Sequence, residues 1–267
     1  MKLKLLLATL LNVSISFAQV PDYVTTNGLV GWWPFNGNAN DLSVNNISTS
    51  LVNGPTYSND RFNNANSAVS LDGVNDYINF PNGNSTMVNI VDDYTISFWV
   101  STIDNSGLLV SFGDNVNSTG GFNSGINAGN IGLGKLAIIN SGGGWVPSTS
   151  TIDNNIWHHI VYTFESNTIT MYIDNSLEYT QSSYSPPLTW NGNRVVGCRD
   201  DLFMASSTNF AGLFDDFGIW NRALNECEIQ DLYHAQLNSS IVDAGIDQTI
   251  CSGESVTLTA SNSMNYS

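Results

Sequence analysis

Thr95-Ile96-Ser97-Phe98-Trp99-Val100 sets Ile96, Phe98 and Val100 at every second position, with Thr95, Ser97 and Trp99 between them. A period of two sends the two sets to opposite sides of the backbone, which is a β-strand with one face in a core. Residues 168–173 repeat the pattern: Ile169, Met171 and Ile173 point one way, Thr170 and Tyr172 the other. Asp174-Asn175 then offers a tight hairpin turn toward Leu177. Outward from these two segments, short apolar runs between clusters of Gly, Asn, Ser and Thr predict strands over residues 29–35, 68–71, 77–80, 108–112, 135–139, 158–164, 194–197 and 216–220.

One helix is predicted, over residues 225–233. Asn225 stands where an N-cap belongs and Glu228 follows three residues later, a variant of the capping box. Ile229 and Leu232 are its packing residues, against the edge of the sheets, and His234 closes it, where a cation suits the helix dipole. Residues 238–242 read as a linker. Ser255-Val256-Thr257-Leu258-Thr259 then opens a separate β-module over residues 243–267. No fixed-period repeat occurs, and the block over residues 19–237 is too large for a seven-stranded immunoglobulin-type domain. An all-β jelly-roll of two antiparallel sheets with one short C-terminal helix is expected.

Residues 1–18 carry Lys2 and Lys4, an apolar run from Leu5 to Val13 and the small-residue end Ser16-Phe17-Ala18 before Gln19, the pattern of a secretory signal peptide. Its apolar run is too short to cross a bilayer, and the rest of the chain holds no membrane span. A secreted or cell-surface location follows. Seven Lys and Arg face twenty-three Asp and Glu, a formal net charge of -16. Such a surface repels nucleic acid and anionic lipid and suits cations and neutral polar ligands. Three cysteines, Cys198, Cys227 and Cys251, lack zinc-site spacing. A Cys198–Cys227 disulfide is expected, with the partner of Cys251 beyond Ser267; three unpaired buried thiols are the alternative.

Six segments in order carry a resemblance to a known family. They are Gly28-Leu29-Val30-Gly31-Trp32-Trp33-Pro34-Phe35-Asn36-Gly37-Asn38-Ala39-Asn40-Asp41, Leu71-Asp72-Gly73-Val74-Asn75-Asp76-Tyr77-Ile78, Tyr94 to Val100, Trp157-His158-His159-Ile160-Val161, Met171-Tyr172-Ile173-Asp174, and Asp215-Asp216-Phe217-Gly218-Ile219-Trp220-Asn221-Arg222-Ala223-Leu224 with Glu228-Ile229. Together they resemble the laminin-G-like, concanavalin A-like jelly-roll domains of secreted bacterial proteins. Asp243 to Gly253 resembles the start of the immunoglobulin-like or polycystic-kidney-disease-type repeats of large Bacteroidetes-type adhesins. The resemblance implies a non-catalytic extracellular binding module, carbohydrate-binding or adhesive, with a glycan or a cell-surface protein as partner. A structural spacer of a surface adhesin is the alternative reading, and a divergent glycosidase a third.

The same resemblance implies a structural calcium ion where the first loop meets the last strand, with Asp41 and Asp215 as ligands and Asn38 and Asp216 as additions. Asn36 to Asp41 is dense in the oxygens a hard cation needs. It is not an EF-hand, since Asp41 stands at the required glycine and Ile47 at the bidentate glutamate. Ordinary turn chemistry of Asn, Asp and Gly is the competing explanation. For glycoside cleavage two carboxylates must flank the scissile bond. The Glu-x-Asp-x-Glu strand of related β-glucanases is absent, so the expectation is no enzyme. His158 and His159 are neighbours on a strand, so their rings face opposite sides and cannot form one site. Trp145, after three glycines, and Trp190, beside Asn191-Gly192, are placed in loops as the candidate sugar platform. Trp32, Trp99, Trp157 and Trp220 are assigned to the core.

Overall fold

The computed structural model describes residues 19–80, 93–113, 122–128, 132–139, 144–183, 193–199 and 208–237. Trp190 and Cys251, the leader, the linker and the expected second module lie outside the described residues. In chain order the strands are β1 (Leu29–Trp33), β2 (Ser50–Val52), β3 (Thr56–Ser58), β4 (Ala68–Asp72), β5 (Tyr77–Phe80), β6 (Tyr94–Ser101), β7 (Gly107–Phe112) and β8 (Phe122–Ile126). There follow β9 (Lys135–Ile139), β10 (Trp145–Thr151), β11 (Trp157–Glu165), β12 (Thr168–Ile173), β13 (Ser176–Gln181), β14 (Arg194–Val196), β15 (Ala211–Trp220) and the helix α1 (Glu226–Leu237).

Every pairing is antiparallel, and two sheets result. The larger runs β13-β12-β11-β6-β15-β4-β3, with β1 on the remaining length of β15; the smaller runs β10-β9-β8-β7-β14-β5-β2. Two-residue turns fix the register of the β11–β12–β13 meander. Ser166-Asn167 and Asp174-Asn175 each hold two consecutive left-handed residues, with φ of 48° and 63°, then 50° and 61°. That is the turn whose twist matches paired strands.

The expected alternation is realised. Ile96, Phe98, Val100, Ile169, Met171 and Ile173 point inward and join Trp33, Phe80, Phe112, Tyr162, Phe214 and Phe217 in the core between the sheets. The opposite face of the larger sheet is also covered. There α1 lays Ile229 and Leu232 on Trp32, Trp220 and Val161, joined by Val24 from the N-terminal segment. The helix therefore packs on a sheet face rather than at the sandwich edge. It also runs one turn further than its sequence pattern, so His234 lies inside the last turn and not at its end. Glycine makes this outer packing possible: a Cβ on Gly218 would sit 2.6 Å from the Trp220 ring and 2.8 Å from that of Trp32, its cross-strand partner.

Trp32, Trp99 and Trp220 are buried as assigned, but on this outer face; Trp157, at the start of β11, is only half-buried. Cys198 does not bridge to Cys227. It is a buried thiol beneath the smaller sheet's outer face with Tyr77 and Val195, whereas Cys227 belongs to α1 on the far side of the larger sheet. Two sheets stand between the two sulfurs, beyond the reach of a disulfide.

Candidate functional site

The carboxylate of Asp41 is buried and fully occupied by its own loop and by β1. One oxygen accepts from the Trp32 and Ser43 amides at 2.9 and 2.8 Å; the other accepts from the Ser43 hydroxyl and the Ile47 amide, both at 2.8 Å. Asp41 thus ties the loop after β1 to the open edge of that strand. Asn38 lies on the surface, its side chain bonded to the Asn40 amide and the Asn36 carbonyl. Asp215 and Asp216 share none of these partners.

A bulge accounts for the second pair. Pairing of β15 with β6 shifts register between Asp215 and Gly218, and Asp216 takes a left-handed φ of 45°. The shift lets two successive carboxylates reach the same outer face. Arg61, from the loop between β3 and β4, meets both: its two terminal nitrogens lie 2.5 Å from Asp215 and 2.6 Å from Asp216. Its Nε donates to the Gln236 carbonyl in the last turn of α1 at 2.7 Å, and its plane lies over the Trp99 ring at 4.7 Å. Gln236 completes the set, accepting from the Trp99 indole at 2.7 Å and donating to Asp216 at 3.2 Å. Burial and mutual repulsion push the Asp215 carboxyl up and burial does the same to Asp216, with Arg61 opposing both.

The four residues expected to bind calcium therefore do not fit a calcium ion. A guanidinium supplies the positive charge for Asp215 and Asp216, and the lone pairs of Asp41 are spent on four donors. No group of three or more His, Cys, Asp or Glu is disposed around a metal position among the described residues. Arg61 carries no motif. The signal that could have found it is scarcity: only Arg61, Lys135, Arg194, Arg199 and Arg222 are cationic after residue 18.

Ser97 and His159 have the separation of a nucleophile and its base, with Oγ and Nε2 2.8 Å apart. Both are buried, and His159 is stacked against Trp99 and against Tyr233 of α1. Burial, aided by Arg61, pushes the imidazole down to about 3, although Asp174 opposes the shift. No carboxylate orients its other nitrogen, Nδ1, which is buried without a hydrogen bond. Geometry and access both argue against a catalytic pair. His158 faces away, as expected, between Asp174 at 2.7 Å and Asn154 at 3.0 Å. Glu178 is also spent, accepting from the Thr149 and Ser150 amides and the Ser150 hydroxyl where β13 approaches β10.

Trp145 opens the edge strand β10 rather than lying in a loop. It stands opposite Ile139 of β9, and both are half-buried. Strand alternation puts Ile139, Ala137 and Lys135 on the same outer face of the smaller sheet, Lys135 half-buried and Ala137 fully buried between the two. At about 3.3 Å per residue that strip is ~13 Å long.

This architecture has a family. Laminin_G_3, described as the concanavalin A-like lectin/glucanases superfamily, matches residues 72–230, more than half of the chain. The chain belongs to that family. Among solved structures, the Laminin_G_3 chain is similar to the binding domain of Paraclostridial Mosquitocidal Protein 1, at 22% identity and a TM-score of 0.62, covering 80% of this chain and 53% of that one. It is similar to the botulinum neurotoxin serotype G binding domain, at 17% identity and a TM-score of 0.57, covering 78% and 51%. It is also similar to the serotype D ligand binding domain in complex with N-acetylneuraminic acid, at 15% identity and a TM-score of 0.57, covering 79% and 52%. The chain thus spans about half the length of these structures, and at such identities the likeness is one of fold. No curated protein matches it in sequence. No helix among the described residues is long and apolar enough to cross a membrane.

Proposed function

We propose that this chain is a non-catalytic, extracellular binding module that takes a neutral glycan on the outer face of its smaller sheet. The observation that carries the reading is the half-exposed Trp145 at the head of β10, beside Ile139, with Lys135 further along the same face. An indole face suits the apolar side of a pyranose, and an ammonium donates to hydroxyls. A net charge of -16 opposes an acidic polymer. The carboxylates argue in the same direction, since Asp41, Glu178, Asp215 and Asp216 each hold backbone or guanidinium groups. Binding domains of similar fold support the reading.

The test is affinity electrophoresis of the chain through gels containing neutral polysaccharides, with Trp145→Ala as the variant. Retardation by at least one glycan, lost in the variant while its circular dichroism is unchanged, is the expected outcome. If no glycan retards the wild type, or the variant is retarded equally, the sugar platform fails. The alternative reading, a spacer in a surface adhesin, is then favoured. Turnover of a polysaccharide would instead make it a divergent glycosidase.

A further inference from the structure

The N-terminal segment borders a cleft of about 770 Å³ at one margin of the larger sheet's outer face. Gln19 and Val20 line it, and the rest of its wall is mixed, apolar at Val24, Leu29 and Leu42 and polar at Asp22 and Ser43. Val20 is already half-buried, packed on the cluster of Trp32 and Trp220 beneath α1. The Pro21 carbonyl accepts from the Val24 amide at 2.9 Å, turning the chain back onto the sheet. The body of the module therefore begins at residue 20. Gln19 is exposed, and among the described residues no hydrogen bond holds its side chain.

We propose that Gln19 becomes the first residue of the exported protein and closes on itself to a pyroglutamyl lactam beside this cleft. The inference rests on export, with cleavage after Ala18 in the small-residue sequence Ser16-Phe17-Ala18. The freed α-nitrogen attacks Cδ of its own side chain and forms the new C–N bond. The Cδ–Nε2 bond breaks, and Nε2 leaves as ammonia with the proton the amine gives up. No oxidant, reductant or second substrate is consumed. Ring closure needs the side chain free to fold back on its own backbone, which an exposed, unbonded glutamine allows. The ring closes the chain to aminopeptidases, which require a free α-amine. That protects Val20, the next residue inward, and with it the packing beneath α1.

The experiment is mass spectrometry of the full chain expressed in a secreting host, quenched in acid at harvest, alongside Gln19→Ala. The expected N-terminal peptide begins at residue 19, is lighter than its sequence by one ammonia, and resists stepwise degradation until pyroglutamyl aminopeptidase is added. The variant is cut at the same bond and gives a full-mass, degradable end. A peptide beginning at an intact, degradable Gln19 overturns the lactam and leaves export standing. A chain still carrying Met1 overturns export and the lactam together.

Discussion

Arg61 is a single side chain holding two carboxylates, a helix carbonyl and an indole face. Removing it leaves Asp215 and Asp216 buried without a counter-charge, so Arg61→Ala is expected to cost about 3–5 kcal/mol in urea denaturation. Arg61→Lys recovers only part, because an ammonium cannot fork to two acceptors. Calcium and chelator are expected to leave the melting temperature of the wild type unchanged, since a site that binds only the folded state must raise it. A rise abolished by Asp41→Ala would reverse the reading of that loop. His159 supplies a pH test. Its folded pKa of about 3 lies below the ordinary histidine value near 6.5, so it favours the folded state above that value. That advantage is lost as pH falls from about 6.5 toward 3, by at most ~1.4 kcal/mol per pH unit. The difference between wild type and His159→Gln stability profiles isolates this slope from the opposing one of Asp215 and Asp216, whose raised carboxyls lose stability as pH rises. At this scale the acidic pair was visible in sequence, but its partner was not. Arg61 lies about 150 residues away in a loop without pattern, and only the fold brings it there.

Strands and helix were legible wherever period and cap agreed. Asn225 and Glu228 exchange bonds of 3.0 Å, side chain to backbone in both directions, while Arg222 grips Glu228 at 2.5 and 2.7 Å. Asn225→Ala is accordingly expected to cost about 1 kcal/mol, read from chemical denaturation. Gly218→Ala is expected to cost more, roughly 1–3 kcal/mol, because its Cβ would drive the rings of Trp32 and Trp220 apart. A normal melting temperature for that variant would show that the two rings can repack. The strands missed in sequence were missed for different reasons. β2 and β3 are three residues each, too short for a period to show. β8 buries Ser124 between Phe122 and Ile126, and reads as polar because the Tyr162 hydroxyl that satisfies Ser124 comes from the other sheet. β10 contains Pro147, which is tolerated only because the strand lies at an edge.

For the whole molecule, the two-sheet sandwich followed from six segments in fixed order, since each supplies one inward row of the same core. The site was less legible, because a binding face is made of residues that the core does not constrain. The candidate Trp145 stands out by residue type, but its place on an edge strand depends on a pairing with β9 that its own sequence does not encode. The two ends of the described chain meet on one face. The Trp220 indole donates to the Thr25 carbonyl at 2.8 Å, and the Tyr23 phenol lies beside Gln236, one residue before the end of α1. A tether pulled from residues 19 and 237 would consequently load the N-terminal strap and the helix first, and after them the Leu29–Trp220 pair where β1 meets β15. In an optical trap both should peel away at low force while the sandwich keeps its length, so that under tension this module acts as a pendant on its chain and not as a link in it.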